Sequence, residues 1–216
     1  MKKEEREAFL RQKLIEMKQY EIALYDKGAV FIAGVDEVGR GPLAGPVVAA
    51  SVILPPDFDI IGIDDSKKLS EKKRNEMNVL IRESAIAYGI GICNERVIDE
   101  INILEATKLA MKEAIHETEK MLGSPIDHIL LDAVTLRDLE RPQTAIIRGD
   151  CLSVSIAAAS IIAKVARDAM MTEYSLIYPH YCFEQNKGYG TEAHYSGIKE
   201  HGICQIHRRS FLKKFL

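Results

Sequence analysis

The sequence predicts an α/β domain: a sheet that starts as a three-stranded meander, continues with two strands alternating with helices, and is covered by helices. Three observations lead to this. Apolar residues recur at three- and four-residue steps in some segments and form short β-branched runs in others, the signatures of helices and strands. Gly/Pro-rich or polar turns separate these runs at strand-like spacing. The chain has 216 residues, 47% hydrophobic and 28% charged, so it can bury a sizeable core without disulfide or metal staples. That composition excludes disordered, collagen-like and mini-protein classes.

Between residues 4 and 25, Leu10, Leu14, Met17, Tyr20 and Leu24 follow helical spacing, giving a helical appendage at 1–28. The run 30–35 reads as a strand ending in Asp36 and Glu37. A Gly/Pro-rich loop at 39–46 then leads to a β-branched strand at 47–54. A polar turn at 64–70 feeds a helix to about residue 83, and 86–93 completes an antiparallel meander. Helical periodicity returns over 103–122, after which a short apolar strand, 127–131, delivers Asp132. Another strand at 144–147 precedes Arg148-Gly149-Asp150 and a helix at 152–174, whose Ala and Ser residues imply close packing on the sheet. Residues 29–216 thus form one domain that includes a basic, helical C-terminal segment.

Net charge is −3, so a nucleic-acid partner would have to be attracted by a local patch. Such a patch is expected at 187–216, where Lys187, Lys199, Arg208, Arg209, Lys213 and Lys214 face only Glu192 and Glu200. His207 is assigned to the same patch. His180, His194 and His201 have no zinc-ligand spacing and read as packing, capping or phosphate contacts. Cys93, Cys151, Cys182 and Cys204 lie far apart with no C-x-x-C pair, which argues against zinc and for reduced thiols. The charged N-terminal run has no signal-like apolar core, and no segment is long and apolar enough to span a bilayer. A cytoplasmic, membrane-independent protein is expected.

Asp36 and Glu37 after one strand, Asp132 after another, and Asp150 at a helix start would together form a strongly negative, oxygen-rich pocket. Adjacent acids at a buried strand end repel unless a cation neutralises them. The chemistry therefore points to hard divalent ions, Mg²⁺ or Mn²⁺, in the paired arrangement used for attack of water on a phosphodiester. Taken alone, Asp150 also reads as a helix N-cap worth ~1 kcal/mol. The run Gly39-Arg40-Gly41-Pro42-Leu43-Ala44 loosely matches a dinucleotide fingerprint, but Pro42, Pro46 and the strand that follows put it in a loop. Its bare backbone and Arg40 suit approach to a sugar or phosphate. Asp65-Ser66-Lys67-Lys68-Leu69-Ser70 reads as a helix entry capped by Ser70 or as a phosphate contact. Asn186-Lys187-Gly188-Tyr189-Gly190-Thr191 reads as a nucleotide-contacting ring or as a structural turn.

Gly34 to Pro46, Asp65 to Leu69, Leu131-Asp132, Gly149-Asp150 with Ser155 to Asp168, and Asn186 to Gly190, in that order, resemble bacterial ribonuclease HII over residues 31–211. The resemblance implies the ribonuclease H-like fold, a mixed five-stranded sheet flanked by helices. It also implies an endonuclease that cuts RNA in RNA–DNA hybrids and nicks 5′ of single ribonucleotides in duplex DNA, leaving 3′-hydroxyl and 5′-phosphate ends and supporting ribonucleotide removal. By motif, Asp36, Glu37, Asp132 and Asp150 would be catalytic, metal-binding carboxylates. Gly39, Arg40 and Gly41 would contact the sugar-phosphate, and Tyr189 would read the 2′-hydroxyl. Lys68, Lys164 and Lys187 are further candidates for backbone contacts, while Asp168 is left to structure. The partners implied are the two nucleic-acid substrates, and a monomer is expected. The Gly-Arg-Gly loop and the absence of a long N-terminal domain argue against the related HIII type, so the HII type is expected. Ile203 and Gln205 stand where proline is common, which bears on the local path of the chain there.

Two other readings remain open at this level: a different metal-dependent nuclease on the same fold, and a non-catalytic nucleic-acid-binding module. A 2′-hydroxyl requirement separates the first from the reading above, and metal-dependent nicking separates the second.

Overall fold

In a computed structural model, residues 3–213 are described, and they adopt the expected class. The chain runs α1 (Lys3–Met17), α2 (Gln19–Tyr25), β1 (Ile32–Val38), β2 (Val47–Ile53), α3 (Glu71–Ser84), β3 (Ala87–Cys93), α4 (Glu95–Leu122), β4 (His128–Asp132) and β5 (Gln143–Ile146). It continues with α5 (Gly149–Leu152), α6 (Val154–Ile177), α7 (Phe183–Asn186) and α8 (Glu192–His201). The sheet order is β3-β2-β1-β4-β5. The first three strands form the antiparallel meander, and β4 and β5 add in parallel on the other side of β1. A mixed sheet of this order makes β1 central, with both neighbours hydrogen-bonded to it.

Each face of the sheet is covered. On one, Ala33, Val35, Val47, Ala49, Ile129 and Leu131 pack against Ala106, Ala110, Met111 and Ala114 of α4. On the other, Ala50 and Val52 meet the Ala-rich face of α6, together with Met77 and Ile81 of α3. Gly34 explains how closely α6 approaches: a Cβ there would lie 2.1 Å from the carbonyl carbon of Ser155. Any side chain at that position forces the helix off the central strand. Leu14 and Met17 of α1 are buried in this second cluster, and Lys13 pairs with Asp64 while Lys18 Nζ donates to the Pro56 and Phe58 carbonyls. The N-terminal helix thus braces the segment 55–70.

Several predicted boundaries move, each for a local reason. The first helix is divided at Lys18 into α1 and α2. β1 runs through Asp36 and Glu37 to Val38 rather than ending before them, because β2 stays paired alongside, Asp36 with Ala50 and Glu37 with Ala49. α4 starts eight residues early and bends at Asn102, which has φ 70° and whose Oδ1 accepts from the Leu104 and Glu105 amides. The helix expected from 152 is divided at Ser153, whose hydroxyl caps α6 by accepting from Ile156 N. Asp150 is therefore not an N-cap; it lies inside the short α5, which follows Arg148 in the left-handed region. Ser70 does cap α3, accepting from Lys73 N.

Candidate active site

The parallel register of β1 and β4 sets the site. Val35 pairs with Leu131, so the next residues along, Asp36 and Asp132, emerge side by side. Asp36 is buried, with Oδ1 accepting from Glu37 N at 2.8 Å. Burial, then the neighbouring Glu37 and Asp132 charges, push its carboxyl well above the usual range, against the pull of a hydrogen bond from Ser160. Asp132 Oδ1 accepts from Gly149 N at 2.7 Å, which ties the end of β4 to the start of α5 and so to Asp150. The Asp132 carboxyl is raised by burial and by Asp150 and Asp65. Glu37 is raised chiefly by burial, although Arg40 Nη1, 3.2 Å from Oε1, partly offsets this. Its Oε2 is buried with no hydrogen-bond partner among the described residues.

Four carboxylates crowded by one another, with a buried acceptor oxygen left over, fit a hard divalent cation. The donors are all oxygen, and only an added positive charge relieves both the repulsion and the orphaned atom. Asp65, placed by the sequence in a turn and not among the metal-binding acids, brings its carboxylate within 4.8 Å of ligand atoms of Asp150 and Cys151.

Beside the acids, Glu37, Gly39, Arg40, Gly41, Lys67, Ile103, Tyr189 and Phe211 line an open cleft of about 530 Å³. Tyr189 is 45% exposed there, and its Cε1 lies 3.5 Å from where a Gly41 Cβ would be. The expected loop and the expected ring therefore meet across one cleft. The loop's shape is imposed from below. Gly39 has φ +91°, and a Cβ on it would come within 2.2 Å of Arg167 Nε. Arg167 donates to the Pro46, Ala44 and Lys187 carbonyls, while Arg208 donates to those of Gly39, Arg40, Pro42 and Gly45.

The family description "Ribonuclease HII" matches residues 33–214 of this sequence. The chain belongs to the ribonuclease HII family. Ribonuclease HII of Listeria innocua is 56% identical over 210 residues, covering 97% of this chain and 78% of the relative. The ribonuclease H2 from Pyrococcus horikoshii OT3 has a TM-score of 0.69 at 26% identity, covering 86% of this chain and 97% of that one. Bst-RNase HIII in complex with Mn²⁺ shares the fold at 20% identity, with a TM-score of 0.61 over 84% of this chain and 66% of its own. The chain is thus a ribonuclease H, an endoribonuclease built on this sheet.

The other residues expected from the ribonuclease HII motifs fall in different places. Lys68 lies beside α5, with Nζ 3.2 Å from Cys151 Sγ and 3.4 Å from Asp64 Oδ1. Its neighbour Lys67, in the same motif but not singled out, reaches further in and lines the cleft. Burial works against the Lys67 charge, yet Asp65, Asp36 and Asp150 outweigh it and raise its pKa. Lys164 is half-buried against Asp168, which also pairs with Arg74. Lys187 donates to Thr172 and lies in a groove between α3 and α6.

The basic tail needs correction. Arg208 is fully buried beneath the glycine loop and His207 is buried against His194, so neither faces solvent or phosphate. Arg209 and Lys213 are exposed, and Lys214 lies outside the described residues. At the segment where proline was expected, Gln205 and Ile206 form a turn whose Ile206 carbonyl accepts from Gly45 N. The four cysteines are free. No helix among the described residues is long and apolar enough to cross a membrane.

Proposed function

We propose that this ribonuclease H hydrolyses the RNA strand of RNA–DNA hybrids and nicks duplex DNA on the 5′ side of a single ribonucleotide, leaving 3′-hydroxyl and 5′-phosphate ends. Its role would be removal of ribonucleotides from DNA. The observation that carries this reading is the Asp36–Glu37–Asp132–Asp150 cluster opening beside a cleft whose walls are the Gly39–Gly41 loop and Tyr189. The carboxylates are the proposed catalytic residues and would hold two Mg²⁺ or Mn²⁺ ions. When bound, such ions supply an activated water and stabilise charge on the leaving oxygen. Asp36 and Asp132 would each offer the ions a carboxylate already oriented by a backbone amide, Glu37 N for one and Gly149 N for the other. Glu37 Oε2, desolvated and without a hydrogen-bond partner among the described residues, would have none to give up.

Substrate choice is assigned to the opposite wall. A 2′-hydroxyl both donates and accepts, so backbone groups of Gly39, Arg40 and Gly41 with the Tyr189 phenol would hold it without reading the base. Arg40, Lys67 and Lys68 would contact adjacent phosphates; Lys187 is further along, and Lys164 acts through its pairing with Asp168. The enzyme is taken to act as a monomer. The test is incubation of the purified protein with a duplex carrying one ribonucleotide and with an all-DNA control, with and without Mg²⁺ or Mn²⁺. Nicking 5′ of the ribonucleotide, abolished by EDTA and absent from the control, is expected. Metal-independent cleavage, or comparable cutting of all-DNA duplex, overturns the reading.

A further inference from the structure

Tyr189 stands between Gly188 and Gly190, a backbone setting that by itself fixes the ring poorly. Its amide and carbonyl are held locally, by Asn186 O and Thr191 N. A second tie comes from His194 in α8, which is itself held by the segment 204–207. His194 Nδ1 lies 2.9 Å from the Tyr189 carbonyl, His194 Nε2 lies 3.0 Å from His207 Nε2, and His207 Nδ1 lies 2.8 Å from Cys204 N. The proton positions follow from the ends of this chain. A carbonyl only accepts, so His194 Nδ1 carries a proton; a backbone amide only donates, so His207 Nδ1 does not. The middle contact is then His207 Nε2–H donating to the bare His194 Nε2. The three contacts then run in one direction, from Cys204 N to the Tyr189 carbonyl, and only with both rings neutral; Cys204 Sγ also lies 3.1 Å from His207 Nδ1. Burial beneath Tyr181 and Phe183 favours that state, holding the His207 pKa down at about 4 and lowering that of His194.

The next residue, Arg208, holds the carbonyls of Gly39 and Arg40, and its own amide donates to Leu43 O. Leu43 N in turn donates to Gly188 O at 2.8 Å. Two consecutive residues therefore reach the two walls of one cleft: Arg208 the glycine loop, and His207, through His194, the tyrosine. We propose that His194 and His207 are positioning residues for ribose recognition, holding Tyr189 at a fixed distance from the Gly39–Gly41 loop. The inference rests on the reading of that loop and Tyr189 as the 2′-hydroxyl contact.

The experiment is a double-mutant cycle on the metal-loaded enzyme with a duplex carrying one ribonucleotide, with rates scaled to the folded fraction measured by circular dichroism. His207→Ala is expected to lower kcat about ten-fold while KM changes less than about two-fold, since the ring acts at the reacting ribose rather than in overall duplex binding. His207→Gln keeps an amide donor toward His194 and should recover to within about three-fold of wild type. In a Tyr189→Ala background, His207→Ala should add less than about a two-fold further loss. Should His207→Ala not fold, His194→Gln takes its place: it keeps an amide within reach of His207, loses the Nδ1 donor to Tyr189, and should show the same non-additive fall in kcat. Equal losses from the histidine substitution with Tyr189 intact and in the Tyr189→Ala background overturn the inference and leave the ribose reading standing. An unchanged kcat in Tyr189→Ala overturns the ribose reading, and this inference with it.

Discussion

Arg167 and Arg208 hold one loop from two separate elements: both are fully buried, and between them they donate to six carbonyls of residues 39–46. Neither has an ion-pair partner among the described residues, and desolvation lowers their pKa values to about 10 and about 9. Carbonyl oxygens replace water around each guanidinium, so the planar fork acts as a template for a loop with little regular structure of its own.

Replacing Arg208 by Lys keeps the charge and loses the fork. We expect a loss of about 3 kcal/mol in urea unfolding, because buried carbonyls lose their donor and an ammonium cannot reach all four. The salt dependence of duplex binding should not change, whereas neutralising exposed Arg209 or Lys213, if they touch phosphate, should flatten the log–log slope by about one unit each. A flattened slope in Arg208→Lys contradicts its burial.

Asp132→Asn preserves an oxygen to accept from Gly149 N and removes a ligand charge. Turnover should drop by about two orders of magnitude or more, with the far-ultraviolet spectrum unchanged. Turnover close to wild type removes Asp132 from the reacting centre.

Asp36→Asn is expected to separate activity from stability. Because burial and then Glu37 disfavour the ionised Asp36, the metal-free variant should melt roughly 2–5 °C higher than the metal-free wild type while losing activity. Mg²⁺ or Mn²⁺ should raise the melting temperature of the wild type and do so less in the variant. A melting temperature well below wild type excludes charge crowding as the dominant effect.

The His194–His207 pair gives a stability signature with a defined sign. In the unfolded chain His207 takes up its proton near pH 6.5, but in the native protein only at about 4. The stabilisation from its neutral state is full above 6.5, declines as pH falls, and is gone below about 4. Its size is about 3 kcal/mol. The unfolding free energy of wild type minus that of His207→Gln, measured from pH 7.5 to 4.5, should therefore shrink steadily toward acid. A constant difference across that range rules out a native ring held neutral.

Glu21 links the N-terminal helices to the catalytic side of the sheet. Its Oε1 accepts from Ser153 Oγ, Ser155 N and Ser155 Oγ at the start of α6, just after the α5 turn that holds Asp150. Glu21→Ala should cost about 2–4 kcal/mol, leaving buried donors unpaired, and Glu21→Gln should retain about half of that. Equal stability of the two variants argues that packing of α2, rather than this carboxylate, is what matters.

The sequence alone determined the class of fold, the order of strands in the meander and the candidate carboxylates, because each is written in local signals; the Gly39–Gly41 loop and Tyr189 each also read as a turn, and only the resemblance to ribonuclease HII set them together. Periodicity marks the elements, and charged residues set against apolar runs stand out wherever they fall. Asp36, Asp132 and Asp150 needed no partner to be noticed. Their convergence was decided by the register of β1 on β4 and by the Gly149–Asp132 hydrogen bond, contacts between residues far apart in the chain. Tertiary structure also reversed the meaning of two residues of the tail. Arg208 and His207 read as surface charge because basic residues usually stay in water, and only the fold supplies the carbonyls and the second imidazole that make their burial favourable. Lys67 and Lys68 are equivalent as sequence, and the turn that presents them decides which one enters the cleft. What a side chain is can be read locally; what replaces its water depends on segments that meet only when the chain has folded.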